Sequence, residues 1–160
     1  MADTWTATSS IRETRRQDGR ILALPMEDNV TVYKGDLVRL NAAGFATSTS
    51  APAAGDVFAG VAYETIDNTT TGHAQGGKKV RVETTGVHSF KKSVPAATDR
   101  GVTVYGGASD ATNDQQTVYD SQGTHAVVVG KVVDYLDPDT GAASTTEERV
   151  LIQPFGAAAS

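Results

Sequence analysis

Few residues in this sequence have both the type and the spacing that enzyme chemistry requires. The histidines are His73, His88 and His125, and no two of them stand at the i, i+4 spacing of a helical zinc site. Asp120, Ser121 and His125 include the residue types of a hydrolase triad, but no nucleophile-elbow pattern surrounds the serine. The pattern favours surface histidines, and we predict a protein that is not an enzyme.

The acidic segment from Asp137 to Glu148 partly matches a calcium-binding loop. Asp137, Asp139 and Glu148 fall at the first, third and twelfth positions of that pattern. Gly141 stands where another oxygen ligand is expected, and Ala142 replaces the invariant glycine of the sharp turn. We interpret the segment as an Asp/Pro/Gly turn followed by a solvated charged loop. Cation binding by this loop stays open at the level of sequence.

Composition argues against several other classes of function. The chain has 160 residues, a net charge of -5, 6% aromatic residues and no cysteine. Thiolate metal sites are therefore ruled out, and nucleic acid is an improbable partner because phosphate contacts need concentrated Lys and Arg. Gly76-Gly77-Lys78-Lys79 leads into a predicted strand rather than a helix, so it is weak support for a phosphate-binding loop. No cofactor is predicted.

No segment has the features of a targeting or membrane signal. The start of the chain lacks the basic and apolar blocks of a signal peptide, and no apolar run approaches the roughly 20 residues that span a bilayer. We expect a soluble protein made in the bacterial cytoplasm, with no membrane partner.

The first 20 residues are predicted to form an extended arm outside the folded core. They are polar, rich in Thr and Ser, and without periodicity. Aromatic and Arg side chains are the usual anchors of protein interfaces. The arm is thus expected to contact a partner, with a frayed terminus of no function as the alternative. The candidate contact residues are Trp5, Ile11, Arg12, Arg15, Arg16 and Arg20.

The remainder reads as short strands arranged around residues 78–90. Val80 and Val82 alternate with Arg81 and Glu83, which is the period-two pattern of a half-buried antiparallel strand. A strand near Val57 is apolar on both faces and is expected to be central, and residues 126–136 are expected to hold the core strand. We predict an all-β domain over residues 21–156, an antiparallel sandwich or flattened barrel, followed by a disordered tail at 157–160.

An internal repeat is suggested by residues that recur at constant spacing. One set lies 70 positions apart (130 − 60 = 70), and a second lies 66 apart (101 − 35 = 66). Two β units facing one another would give a sandwich with a pseudo-two-fold axis. Chance recurrence of Gly and Val is the alternative. The pairs are Gly60/Gly130, Val80/Val150, Val82/Ile152 and Gly86/Gly156 in the first set, and Gly35/Gly101 and Val38/Val104 in the second.

Three groups of residues carry a family resemblance. They are Thr85-Gly86-Val87-His88-Ser89-Phe90-Lys91-Lys92 with the following Ala96-Ala97 and Gly101-Val102-Thr103-Val104-Tyr105, the turn Lys34-Gly35-Asp36-Leu37-Val38, and the strand Val129-Gly130-Lys131-Val132. In these patches, from about Val30 to Phe155, the sequence resembles the small β-rich phage capsid cement or head decoration proteins. His88 stands where that family usually has Phe, and the long arm and the Asp137 to Glu148 insertion are departures.

The resemblance implies a structural virion protein on the exterior of a bacteriophage capsid. Such a protein binds the outer surface of the expanded head and clamps neighbouring major capsid subunits, often as a homo-oligomer and most often a trimer. The six arm residues would then be capsid contacts. Two alternatives remain, another virion part such as a tail-tube or head-completion protein, and a carbohydrate-binding or hydrolytic β domain.

Overall fold

The computed structural model describes residues 20–48, 53, 55–106, 117–121, 127–137 and 139–156. Nearly all of the regular structure in these residues is β. The strands are β1 (Ile21–Pro25), β2 (Thr31–Val32), β3 (Leu37–Leu40), β4 (Ala46–Thr47), β5 (Val57–Ala62), β6 (Ile66–Asp67), β7 (Lys79–Glu83), β8 (Val87–Lys91), β9 (Thr103–Gly106), β10 (Val127–Asp134) and β11 (Glu147–Ile152), with a 3-10 turn at Ala97–Asp99.

The strands form two main antiparallel sheets, as predicted. The first sheet has the order β1-β7-β5-β3-β4, the second has the order β8-β11-β10-β9, and β2 pairs with β6 in a small ribbon. The expected all-β sandwich is therefore confirmed. The alternative of a closed barrel is not confirmed, because in the described residues the edges of the first sheet meet at a single isolated bridge, between Met26 and Ala46.

Alternation of side chains explains which strands are central. On β7, Val80 and Val82 are buried while Lys79 and Arg81 are exposed, so this strand has one solvated face. On β5, Phe58, Ala59 and every following residue to Ala62 are buried, which agrees with the predicted central position. The two-sided burial of β5 shows that the first sheet is covered on both faces at its centre.

The two sheets repeat one arrangement of four strands. The strands β1, β7, β5 and β3 correspond in order to β8, β11, β10 and β9. Val38 pairs with Gly60 in the first sheet and Val104 pairs with Gly130 in the second, and a register shift follows at the same place in each pair. Shared register and a shared bulge are a specific correspondence, so the repeat is present in the backbone.

The sequence alignment of the repeat was wrong by two positions along one strand pair. Ala62 and Val132 each lie two residues after the matched glycines, Gly60 and Gly130. Ala62 pairs with Val82 on β7, and Val132 pairs with Val150 on β11. Val82 therefore corresponds to Val150 and not to Ile152, so the suggested Val80/Val150 and Gly86/Gly156 pairs are also wrong. A slip of two residues keeps every side chain on the same face, which is why the apolar pattern did not reveal it.

Each sheet has an inner face and an outer face, which we define by the repeat. The inner face of the first sheet carries Val38, Ala62 and Val82, and that of the second sheet carries the corresponding Val104, Val132 and Val150. The outer face of each sheet is the opposite one. All six of these inner side chains are buried.

The sheets stack with the inner face of the second sheet on the outer face of the first. Leu37, Phe58 and Val61, from the outer face of the first sheet, belong to the same buried cluster as Val104 and Val150. The inner face of the first sheet forms a separate cluster that includes Val30 and Val32 beside the β2–β6 ribbon. The expected arrangement of units facing one another about a pseudo-two-fold axis was thus wrong, since the units stack in one direction.

Candidate functional site

Most of the predicted arm contacts cannot be placed, because residues 1–19 lie outside the described part of the chain. The tail at 157–160 lies outside it as well. Arg20 is described and exposed. The predicted contact residues outside the described part are Trp5, Ile11, Arg12, Arg15 and Arg16.

Arg20 is the first described residue of the chain, and it lies at the edge of the first sheet. Its carbonyl oxygen accepts a hydrogen bond from the Thr84 N–H at 2.9 Å. In the second sheet, the corresponding Gly86 carbonyl accepts from the Ile152 N–H at 3.1 Å. The described part of the chain therefore begins beside the short link that connects β7 to β8.

The histidines and the triad candidates form no catalytic group in the described residues. His73 is exposed in a loop, and the His88 Nε2 atom lies 3.1 Å from the Thr85 carbonyl oxygen and 3.7 Å from a Glu83 carboxylate oxygen. His125 lies outside the described residues. Asp120 contacts a lysine, and the imagined triad involves His125 and therefore lies outside the described residues.

The two ends of the acidic segment lie in different environments. Asp137 accepts hydrogen bonds from the N–H groups of Asp139 and Thr140, at 2.8 Å and 3.0 Å, and these bonds lower its pKa. Glu148 lies on β11 and is fully buried. The turn at Asp137 is confirmed. The expected solvated loop was wrong at its end, because Glu147 and Glu148 belong to β11 and Glu148 is removed from water.

A buried ionic cluster, which sequence reasoning missed, joins Lys92, Asp99, Asp120 and Glu148. The Lys92 Nζ atom lies 2.7 Å from Asp99 Oδ2, 2.7 Å from Asp120 Oδ1 and 3.1 Å from Glu148 Oε1. The side chains of Lys92 and Glu148 are 4% and 0% exposed, whereas Asp120 is half exposed. The cluster therefore connects the ends of β8 and β11 to the 3-10 turn and to residue 120.

Electrostatics within the ionic cluster keep its lysine charged. Burial lowers the pKa of Lys92, but hydrogen bonds to Asp120, Asp99 and Glu148 more than offset that effect, and the net shift is upward. Burial, helped by the adjacent Asp99 carboxylate, raises the pKa of Glu148 to about 7. Hydrogen bonds from Glu148 and Lys92 lower the pKa of Asp99 to about 2.

These protonation states limit what the ionic cluster can do. An amine nucleophile must lose its proton, and the raised pKa of Lys92 opposes that loss. Glu148 can exchange a proton near neutral pH, but its full burial keeps a substrate from reaching it. Within the described residues, no group of three or more His, Cys, Asp or Glu could hold a metal ion. We interpret the cluster as a structural element.

A correct alignment of the repeat would have revealed the ionic cluster from the sequence. Leu24 pairs with Val80 in the first sheet, and the corresponding Phe90 pairs with Glu148 in the second. Lys92 likewise corresponds to Met26, since their N–H groups make corresponding bonds to the carbonyls of residues 146 and 78. The signal in the sequence is that Lys92 and Glu148 stand where the first sheet has two buried apolar residues, Met26 and Val80. This replacement indicates a buried ion pair.

The outer face of the second sheet is open to solvent and partly apolar. Val87 and Leu151 are paired directly across β8 and β11 and are 42% and 43% exposed. Lys131 pairs with Leu151 on the next strand and is also exposed. Val133 is 39% exposed on the same strand as Lys131. This face is a candidate interaction surface.

No family model, curated protein or solved structure matches this chain. No helix among the described residues is long and apolar enough to cross a membrane.

Proposed function

We propose that this chain is a structural virion protein of a bacteriophage, a capsid cement or decoration protein. It binds the outer surface of the expanded head and clamps neighbouring major capsid subunits, and it acts as an oligomer on the capsid exterior. Repetition over many equivalent sites lets modest contacts stabilise a shell, because binding favours the assembled state by mass action.

The observation that carries the proposal is the position of the residues that resemble the cement family. Gly35 and Gly101 correspond in the repeat and have φ angles of 91° and 82°. Their N–H groups bond to the carbonyls of Ala62 and Val132, at 2.9 Å and 2.7 Å. The resembling segments therefore include the corners where β3 and β9 begin, so the likeness involves residues that determine the fold.

The nature of the exposed and buried groups also supports a binding role. The ionic cluster is closed to substrates, while apolar side chains are exposed at Val87 and Leu151 and at the arm junction, where Ile21 is 40% exposed. Exposed apolar groups beside charged ones are typical of protein interaction surfaces. Such an interface suits a clamp better than an enzyme.

The test is co-sedimentation of the purified chain with heads of its own phage prepared without it, in expanded and unexpanded forms. Saturable binding to expanded heads alone is the expected result, and the bound amount gives the copy number. Absence of binding to either form would overturn the proposal. Rings or tubes formed by the chain alone in electron micrographs would then favour a tail-tube or head-completion role.

The arm is tested in the same assay by deleting residues 1–19. This deletion keeps Arg20 and its carbonyl contact with Thr84, so the edge of the first sheet is preserved. We expect at least a tenfold loss of affinity for expanded heads, because the Trp and Arg anchors are removed. A variant with only Trp5→Ala separates the aromatic anchor from the basic residues. Unchanged binding by the deletion variant would remove the arm from the interface.

A further inference from the structure

We infer that the outer face of the second sheet is the surface by which the folded part of this chain docks on its partner. We call it the docking face, formed by Val87, Leu151, Lys131, Arg149, Lys91 and Val133. This inference rests on the proposed function, which names the capsid shell as partner. It adds which face is used and what chemistry the partner surface must have.

The repeat shows what the corresponding face does in the first sheet. Leu37 and Val61 on that outer face are 3% and 7% exposed, because the second sheet covers them. Their counterparts in the second sheet are Thr103 and Lys131, and Lys131 is exposed. One outer face is therefore an interface within the chain, while the other has the same strand geometry and exposed side chains at Val87, Leu151 and Lys131.

The changes between the two outer faces indicate the chemistry of the partner. Where the first sheet has Val61 and Glu83, the second sheet has Lys131 and Leu151. Lys91 and Glu147 also pair across this face, and Arg149 lies beside Glu147. Three basic residues thus lie around an apolar centre and outnumber the two acidic ones, Glu147 and Asp134, on a chain whose net charge is -5. Asp134 is itself paired with Arg100 at 3.1 Å.

Charge complementarity selects an acidic partner over a second copy of this chain. Two copies packed by these faces about a two-fold axis would oppose two surfaces of the same net positive charge, which is unfavourable. A protein surface with carboxylates around an apolar patch removes that repulsion. The partner is accordingly an acidic, apolar-centred surface of the capsid shell.

The position of the arm agrees with this choice. Arg20 is bonded to Thr84, and Val87 begins only three residues later, which is at most about 10 Å of chain. Arg20, to which the predicted arm is joined, therefore lies next to the apolar end of the docking face. An arm and a face that adjoin one another can bind one partner surface together and so increase the effective affinity.

The experiment compares two matched substitutions, Val87→Asp and Val94→Asp, in co-sedimentation with expanded heads lacking this chain. Val94 is 79% exposed and lies beyond the other end of β8, outside the docking face. We expect Val87→Asp to weaken binding at least tenfold and Val94→Asp to leave it within twofold. Lys131→Glu should also weaken binding, and its effect should shrink as salt is raised. Thermal unfolding of each variant confirms that the fold is retained.

The outcomes distinguish failure of the docking face from failure of the proposed function. If the unaltered chain binds expanded heads and Val87→Asp and Lys131→Glu bind equally well, the docking face is wrong and the proposed function stands. If the unaltered chain does not bind expanded heads, both the docking face and the proposed function are overturned. Sedimentation velocity of the chain alone tests whether a second copy occupies the docking face. Self-association that Val87→Asp abolishes would assign the face to a second copy and would overturn the proposed acidic partner.

Discussion

Lys92 and Glu148 occupy positions that the first sheet fills with Met26 and Val80. Met26 and Val80 are fully buried apolar residues, whereas the second pair is a buried ion pair with two further carboxylates beside it. Buried ion pairs often contribute little net stability compared with apolar residues, but removing one partner is costly because it leaves an uncompensated charge. The repeat supplies the apolar alternative within one molecule.

The double substitution Lys92→Met/Glu148→Val, which copies the first sheet, tests this view. We expect Lys92→Met alone to lower the free energy of unfolding by about 3–5 kcal/mol, since Glu148 and Asp99 lose their cation. The double variant should recover roughly half of that loss or more. Urea unfolding measures both, with the exposed Lys91→Met as control. A double variant no more stable than the single one contradicts the argument.

The raised pKa of Glu148 makes stability depend on pH. Between the ordinary carboxyl pKa near 4.5 and the folded value of about 7, the folded protein binds more protons than the unfolded chain. Stability from this group is therefore highest at low pH and falls as pH rises through that window. We expect a decrease on the order of 1–2 kcal/mol.

The measurement is the free energy of unfolding at several pH values from 5 to 8, for the protein and for Glu148→Gln. The amide has no proton to lose, so the decrease should be absent from that variant. The exposed neighbour Glu147→Gln should keep the decrease. An identical pH profile for all three proteins would show that Glu148 is not the group responsible.

At the scale of elements, the recurring feature is an antiparallel strand pair with a bulge and a glycine at the same place. Gly60 on β5 and Gly130 on β10 each lie against the backbone of the neighbouring strand. A Cβ at Gly60 would meet the Glu83 carbonyl oxygen, and one at Gly130 would meet the Leu151 carbonyl oxygen. Only glycine allows the strands to approach this closely.

Gly60→Ala and Gly130→Ala should each be strongly destabilising, by about 2–4 kcal/mol, because backbone must move to admit the methyl group. The control is Gly141→Ala, at φ +69° with no atom near the added Cβ, which should cost about 1 kcal/mol from conformation alone. Thermal or urea unfolding provides the comparison. Equal losses at Gly130 and Gly141 would argue against the close approach.

At the scale of the whole molecule, the one-directional stacking makes the second sheet depend on the first. Leu37 and Val61 belong to strands of the first sheet but complete the core of the second. The inner face of the first sheet instead packs with residues near the β2–β6 ribbon. We infer that the second sheet needs the first sheet to bury its inner face.

Leu37→Ala tests that dependence by hydrogen exchange. We expect a loss of about 2–5 kcal/mol, as for other buried leucines, together with faster exchange of the β10 and β11 amides. Leu22→Ala, which truncates a leucine packed against the other cluster, should affect β1 and β7 first. Exchange confined to the first sheet in the Leu37→Ala variant would contradict the shared core.

The sequence by itself determined the fold class and most strands. Strand alternation, as at Val80 and Val82, needs no tertiary information because the period of two follows from local backbone geometry. Gly60/Gly130 and Gly35/Gly101 also gave correct repeat correspondences. They were detectable because glycine is the residue that each of these backbone positions requires. The reason is either a positive φ angle or the close approach of a neighbouring strand.

Tertiary structure alone decided which residues of β7 and β11 correspond in the repeat, the direction in which the sheets stack, and the ionic cluster. A two-residue slip preserves the apolar pattern, so only backbone pairing distinguishes Val82/Val150 from Val82/Ile152. Lys92 and Glu148 are 56 residues apart, and in sequence each resembles an ordinary surface charge. They are buried together because strand pairing between β8 and β11, a long-range interaction, removes both from water and leaves each as the other's partner.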